Sequence, residues 1–227
     1  MNNYQGPGTR ANRCSLFVLL FLSIGLIFSR FYAQEFKIIG GGTFSKYSRA
    51  PSIGWILGGL GSDIPAEYKP GFAAGIGIEI SSAKNLSLEI DGMYFQKGSR
   101  FDFSDALYDR KMNFFLNVLS FPVLLKFQIL PESSPYLLAG GELSIVLSHK
   151  SRAIFQGLKE PTLDEKDKVK ALDLALVVGG GIEIPVKPVS IFIEARYHLG
   201  IQDISNDRLY FSSLKTSAVA VLLGIKI

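Results

Sequence analysis

The chain has 227 residues, of which 48% are apolar and only 19% charged, against roughly 25% charged in ordinary soluble domains. That balance excludes a disordered chain, which needs low hydrophobicity and high charge, and a single Cys excludes an intrachain disulfide scaffold. The net charge of +4 is not a nucleic-acid signature, because setting Arg10, Arg13 and Arg30 aside leaves 21 basic residues against 20 acidic ones.

Residues 1–34 read as an export signal. Arg10 and Arg13 supply the positive start, and Leu16 to Phe28 form an apolar run interrupted only by Ser23 and Gly25. The run is too short for an ordinary spanning helix of about 20 residues. Cleavage after Ala33 or Gln34 fits the small-residue requirement, and a retained N-terminal anchor is the alternative. Cys14 precedes the apolar run, which argues against lipidation there. Residues 35–227 then form one domain. No later apolar stretch is long enough for a helical span, so a membrane-embedded chain must use closed β-structure.

Eight strand-like runs follow in order. They are Glu35 to Ser45, Pro70 to Ile80, Leu86 to Lys97 and Met112 to Leu130, then Pro135 to Ser148, Lys170 to Ile184, Val189 to Ile201 and Leu214 to Ile227. Their connections alternate in length. Lys46 to Lys69, Gly98 to Lys111, His149 to Val169 and Gln202 to Ser213 are long, whereas Ser81 to Asn85, Pro131 to Ser134 and Pro185 to Pro188 are short. This is the pattern of an all-β, eight-stranded, antiparallel up-and-down transmembrane barrel, with short turns facing the periplasm and long loops facing outside.

Within the runs, side chains alternate. Ile191, Ile193, Ala195, Tyr197 and Leu199 share one face, and Glu194, Arg196 and His198 share the other. Leu86, Leu88, Ile90 and Tyr94 oppose Ser87, Glu89 and Asp91, while Leu172, Leu174, Leu176 and Val178 oppose Asp173. Period-2 alternation gives each strand one apolar and one polar or small face. The apolar face is long and aliphatic, so it is expected to meet lipid, with a compact polar interior. After residue 34, prolines fall in connections or open strands, except Pro122, which sits inside the longest run and predicts a bulge or kink.

The run Leu116-Asn117-Val118-Leu119-Ser120-Phe121-Pro122-Val123-Leu124-Leu125-Lys126-Phe127 resembles a strand of the PorT-like outer-membrane β-barrel family. Pro135 to Gly141, Val177 to Glu183 and Ile193 to Tyr197 resemble the strands that follow in that family. The resemblance covers about Glu35 to Ile227 and implies an eight-stranded barrel in a Gram-negative outer membrane, usually without an assigned activity. Two positions depart from the pattern: Ile227 stands where a terminal aromatic is common, and Ser120-Phe121 stands where a charged residue and Ile are frequent.

The candidate site is the inward-facing ionisable set Glu79, Glu89, Asp91, Lys126, Glu142, Asp173, Glu183, Glu194, Arg196 and His198. A narrow barrel is nearly filled by side chains, so these groups must pair or be hydrated. Arg196, with its planar fork, is the natural centre. A structural salt-bridge plug is favoured over an ion or proton path, since conduction normally needs more strands. His198 has no Ser grouped with it, His149 falls in an external connection, and no metal-ligand spacing occurs, so neither an enzyme, a cofactor nor a metal site is expected.

The clusters Gly40-Gly41-Gly42, Gly58-Gly59 with Gly61, and Gly179-Gly180-Gly181 lack the phosphate-loop pattern and suit strand curvature instead. The charged connection holding Lys159, Glu160, Asp164, Glu165, Lys166, Asp167 and Lys168 reads as a solvated, mobile loop. Ile53 to Leu60 is unusually apolar for a loop, and Tyr47, Trp55 and Tyr68 are candidates for the interfacial aromatic girdle. The functional expectation is an integral barrel with outer-membrane lipid as its surroundings and a protein partner at its external loops. A narrow channel and a soluble, lipocalin-like periplasmic carrier are the alternatives.

Overall fold

The computed structural model describes residues 33–48, 65–83, 85–104, 109–130, 135–207 and 213–227. The chain forms strands β1 (Ala33–Tyr47), β2 (Lys69–Ala83), β3 (Leu86–Asp102), β4 (Arg110–Gln128) and β5 (Tyr136–Phe155). Two-residue strands β6 (Leu158–Lys159) and β7 (Leu163–Asp164) follow, then β8 (Leu172–Val186), β9 (Val189–Gly200) and β10 (Thr216–Lys226). Each long strand pairs antiparallel with its neighbours in chain order, β5 pairs β8, and β1 pairs β10. The eight long strands therefore close on themselves, which removes every free edge. At the seam, Phe36 and Ile227 exchange two backbone hydrogen bonds of 2.9 and 2.8 Å.

The alternation in sequence becomes an inside and an outside. Leu174, Ile191 and Ile193 are 42%, 38% and 48% exposed on the outer wall, whereas Glu194 and Arg196 are each 1% exposed within. An aliphatic exterior around a charged interior is the arrangement of a barrel in lipid and the reverse of a soluble carrier. Among the described residues, no helix is long and apolar enough to cross a membrane; the crossing is made by strands.

The aliphatic belt ends before the strands do. On the outer face of β4 it runs from Phe127 through Val123 and Phe121 to Leu119, and on β5 from Leu137 to Leu147. Beyond it, β3, β4 and β5 continue with Gln96, Arg100, Asn113, Asn117, Lys150 and Arg152 among their side chains. Of these, the sequence pattern places Arg100, Lys150 and Arg152 in connections, because the outer faces turn polar where they leave the belt.

Several expectations need correction. Pro122 causes no bulge: the β3–β4 ladder passes from Ile90↔Val123 to Met93↔Ser120 in unchanged register, omitting only the pairs at Phe121 and Pro122. A missing N–H costs a ladder bond but does not demand an extra residue. The register shift lies instead beside Asn117 and Val118, where β5 inserts Leu147 between Val146 and Ser148. That extra residue reverses the inside–outside parity of β5, so His149 and Ser151 turn inward. His149 is thus a buried strand residue and not part of an external connection.

The charged connection after β5 is also not a free loop. Its β6 and β7 pairs extend β5, a 3-10 turn spans Lys166–Lys168, and Glu165 and Val169 are buried. Nor is the interior polar throughout. Its loop-side half is an apolar cluster of Phe95, Phe101, Phe114, Leu116, Val118 and Val146, packed with Val169, Ile204 and Leu214 from the external connections. Residues 1–32 of the expected leader and the apolar segment Ile53 to Leu60 lie outside the described residues.

Candidate functional site: the ion-paired lumen

The ten sequence-predicted lumen residues all point inward, and they sort into three tiers along the axis. Nearest the short turns, Lys126 of β4 lies 2.9 Å from Glu79 of β2 and 3.0 Å from Glu183 of β8. Lys226 of β10 joins them, 2.6 Å from Glu183, 2.8 Å from Glu35 and 3.5 Å from Glu79. Glu183 and Glu35 retain some exposure at this mouth.

The middle tier is centred on Arg196 of β9. Its Nη1 donates to Asp91 at 2.7 Å and its Nη2 to Glu89 at 2.6 Å, both on β3, while Nε bonds Glu194 on its own strand. Lys37 of β1 pairs with Glu89 and lies 3.1 Å from Asp91. The Tyr136 hydroxyl donates to Glu194 at 2.9 Å. One guanidinium thereby addresses three carboxylates with geometrically distinct donors, a fixed fork that the single ammonium of a lysine does not offer.

The third tier lies beneath the apolar cluster. Lys97 of β3 sits 3.0 Å from Glu142 of β5 and 3.4 Å from Asp173 of β8. His198 Nδ1 donates to Glu142 at 2.6 Å, Ser144 Oγ donates to the same carboxylate at 2.9 Å, and Thr216 Oγ1 donates to Asp173 at 3.0 Å. The His198 ring also packs on Phe95, with centroids 4.9 Å apart. Burying so many charges carries a large desolvation cost, offset only where each ion meets several partners. Every tier meets that condition by drawing on strands from opposite walls.

Lys37, Lys97, Lys226 and Tyr136 belong to these tiers although the sequence reading does not single them out. A parity signal exists for two of them: Lys37 alternates with Phe36 and Ile38, and Lys226 with Ile225 and Ile227. Tyr136 is not separable by sequence from the apolar residues around it.

Above the tiers, Tyr47 is buried and its hydroxyl lies 3.1 Å from His149 Nε2. Its odd position in β1 places it inside with Lys37, Thr43 and Ser45, so it does not belong to an interfacial girdle. His149 Nδ1 faces the Glu165 carbonyl at 3.3 Å, and the ring stacks on Phe114. Because a carbonyl only accepts, this contact assigns a proton to Nδ1. Tyr68 is exposed at the loop end, with the Lys46 ammonium 4.6 Å above its ring. Trp55 lies outside the described residues.

The chemistry of the lumen is that of mutual neutralisation. Ser144 and His198 both address Glu142, so their donors are spent on a shared carboxylate and not arranged as a nucleophile–base pair. Among the described residues, no group of His, Cys, Asp and Glu has the arrangement of a metal site.

No curated protein matches the sequence. Among solved structures, the fold is similar to Neisserial surface protein A, with a TM-score of 0.43 and 14% identity over 86% of this chain and 99% of that one. It is similar to Ail, the attachment invasion locus protein of Yersinia pestis, with a TM-score of 0.42 and 15% identity over 86% of this chain and 100% of that one. It is also similar to the outer membrane protein OprG of Pseudomonas aeruginosa, with a TM-score of 0.44 and 13% identity over 86% of this chain and 96% of that one. The model of the outer membrane protein beta-barrel domain matches residues 32–206, well over half of the chain. With a closed barrel, a lipid-facing aliphatic wall and that match, the chain belongs to the outer membrane β-barrel domain family and resides in the outer membrane.

Proposed function

We propose that this protein is a sealed membrane scaffold, non-enzymatic, whose role is carried by the surfaces it presents outside the cell, with a protein partner at its external loops. The observation that supports this most directly is the filled axis. Three tiers of ion pairs, crossed by Arg196 and Lys97, lie below an apolar cluster built from Phe101, Phe114 and Leu116 and covered by Val169, Ile204 and Leu214. A conducting path needs continuous water, and side chains that meet across the lumen of a narrow barrel leave little room for it.

We further infer a PorT-like branch of the family. Its support is the stretch Leu116 to Phe127, which stands as one strand with Pro122 and Lys126 both directed inward.

Planar-bilayer recording of the purified full chain tests the sealed scaffold. No stable unit currents are expected. Unit currents that change size on Arg196→Ala would replace this reading with the narrow-channel alternative.

A further inference from the structure

Outside the barrel, one feature is used neither by the lumen nor by the lipid belt. On the outer wall of β4, just beyond the belt, Phe115 is half-buried and carries two cations on its ring: Lys69 Nζ lies 4.0 Å from the centroid and the Arg152 guanidinium 5.8 Å. Lys150 is the direct cross-strand partner of Phe115. Phe115, Asn117, Lys150, Arg152 and Thr162 line a groove of about 280 Å³.

The groove is already organised. Arg152 Nε donates to Thr162 at 2.8 Å, and Asn117 Nδ2 donates to Ser148 at 2.9 Å. Among the described residues, Lys69, Lys150 and Arg152 make no ion pair. Asp164 stands opposite Lys150 in the β5–β7 ladder, and its Oδ1 accepts the Lys166 N–H at 3.1 Å. Two cations share one aromatic ring and a third stands on the paired position of β5; like charges so placed repel one another, and a bound anion relieves that repulsion.

Location identifies the anion. The groove opens sideways from the barrel wall, and Phe115, Asn117, Leu119, Phe121 and Val123 form one continuous outward face of β4. Phe115 lies four residues beyond Leu119, roughly 14 Å along the strand at about 3.4 Å per residue, and less than that in height once strand tilt is included. A ligand that fits has acyl chains against Leu119 and Phe121 and a phosphorylated headgroup at the groove. Basic clusters beside a membrane surface read as anionic-lipid sites.

We propose that this groove binds a phosphate on the headgroup of an outer-leaflet glycolipid, with Lys150 and Arg152 of its lining as ligands and Lys69, seated on the adjoining Phe115 ring, adding to the positive field. The site rests on the membrane orientation alone and is independent of whether the lumen conducts or the loops hold a partner.

The test is titration of the folded full chain in nonionic detergent with diphosphorylated lipid A, with dephosphorylated lipid A and with inorganic phosphate, read by native mass spectrometry. Diphosphorylated lipid A is expected to be retained selectively. The triple variant Lys69→Gln, Lys150→Gln, Arg152→Gln is expected to weaken it roughly a hundredfold, at about one kcal/mol for each cation. Lys111→Gln, whose cation is already shared with Asp102 and Asp109, is expected to leave retention unchanged. Heat-modifiable gel migration shows whether each variant is folded. Should the triple variant not fold, Lys150→Gln alone is expected to weaken binding about fivefold. Unchanged retention in a folded charge-deleted variant overturns the proposal, as does equal retention of the dephosphorylated lipid. Inorganic phosphate binding as tightly as lipid A would overturn the lipid assignment.

Discussion

Arg196 and Asp91 meet at 2.7 Å although 105 residues separate them in the chain and their strands, β9 and β3, are not neighbours in the sheet. The pair spans the lumen and ties one wall to the other. Together with the bond to Glu89, it makes Arg196, the largest fully buried side chain among the described residues, a cross-brace.

Removing that brace leaves Glu89, Asp91 and Glu194 with Lys37 as the one cation of their tier. Arg196→Ala is expected to cost about 3–5 kcal/mol, the usual penalty for breaking a buried pair from one side. Urea unfolding in detergent, followed by heat-modifiable gel migration, measures it. A double change that also neutralises Glu89 and Asp91 to Gln and Asn is expected to recover part of the loss. A loss no larger than about 0.5 kcal/mol for Arg196→Ala, the range of an ordinary surface substitution, would show that the brace carries no weight.

Gly41 and Gly42 make an internal control for strand closure. A methyl group at Gly41 would overlap the Val221 backbone of β10, whereas one at Gly42 meets nothing within 4 Å. Gly41→Ala is expected to destabilise the barrel by about 1–3 kcal/mol through overpacking at the β1–β10 seam, and Gly42→Ala to stay within about 0.5 kcal/mol. Equal stability of the two variants in the same urea titration would contradict the register of the seam.

The lipid belt predicts a depth-dependent response. Ile193→Arg, in the midst of the aliphatic wall, is expected to cost about 2–4 kcal/mol on folding into vesicles, against no more than about 1 kcal/mol for Asn117→Arg beyond the belt edge. Folding yields into lipid vesicles at a series of urea concentrations separate the two. If both variants fold alike, the belt is not where the membrane lies.

The Leu147 bulge predicts a local effect at the loop end. Tyr47→Phe removes the hydroxyl facing His149 and is expected to cost about 1 kcal/mol. The amides of residues 163–169 are expected to exchange faster as well, because Glu165 donates its N–H to the His149 carbonyl at 2.9 Å. Hydrogen exchange of the detergent-solubilised protein reads this. Unchanged protection there would mean that Tyr47 does not support the docked connection.

The sequence by itself determined the number and order of the barrel strands and which face of each meets lipid. Two physical regularities made that legible: side chains alternate strictly across a strand, as Ile191 to Leu199 do, and a lipid environment forces the apolar face outward. It also marked most of the lumen ions, because a charge between aliphatic neighbours has only one direction to point. Only the tertiary structure decided which ions meet, since Arg196 finds Asp91 across a closed circle whose register is set by all eight pairings. It decided, too, that His149 and Tyr47 lie inside. A one-residue bulge at Leu147 reverses parity without any proline or glycine to announce it, and Tyr47 is held by a histidine 102 residues away. The apolar seal at the loop end was hidden for the same reason: Phe101, Phe114, Val169, Ile204 and Leu214 come from segments distant in sequence, and only barrel closure brings them together.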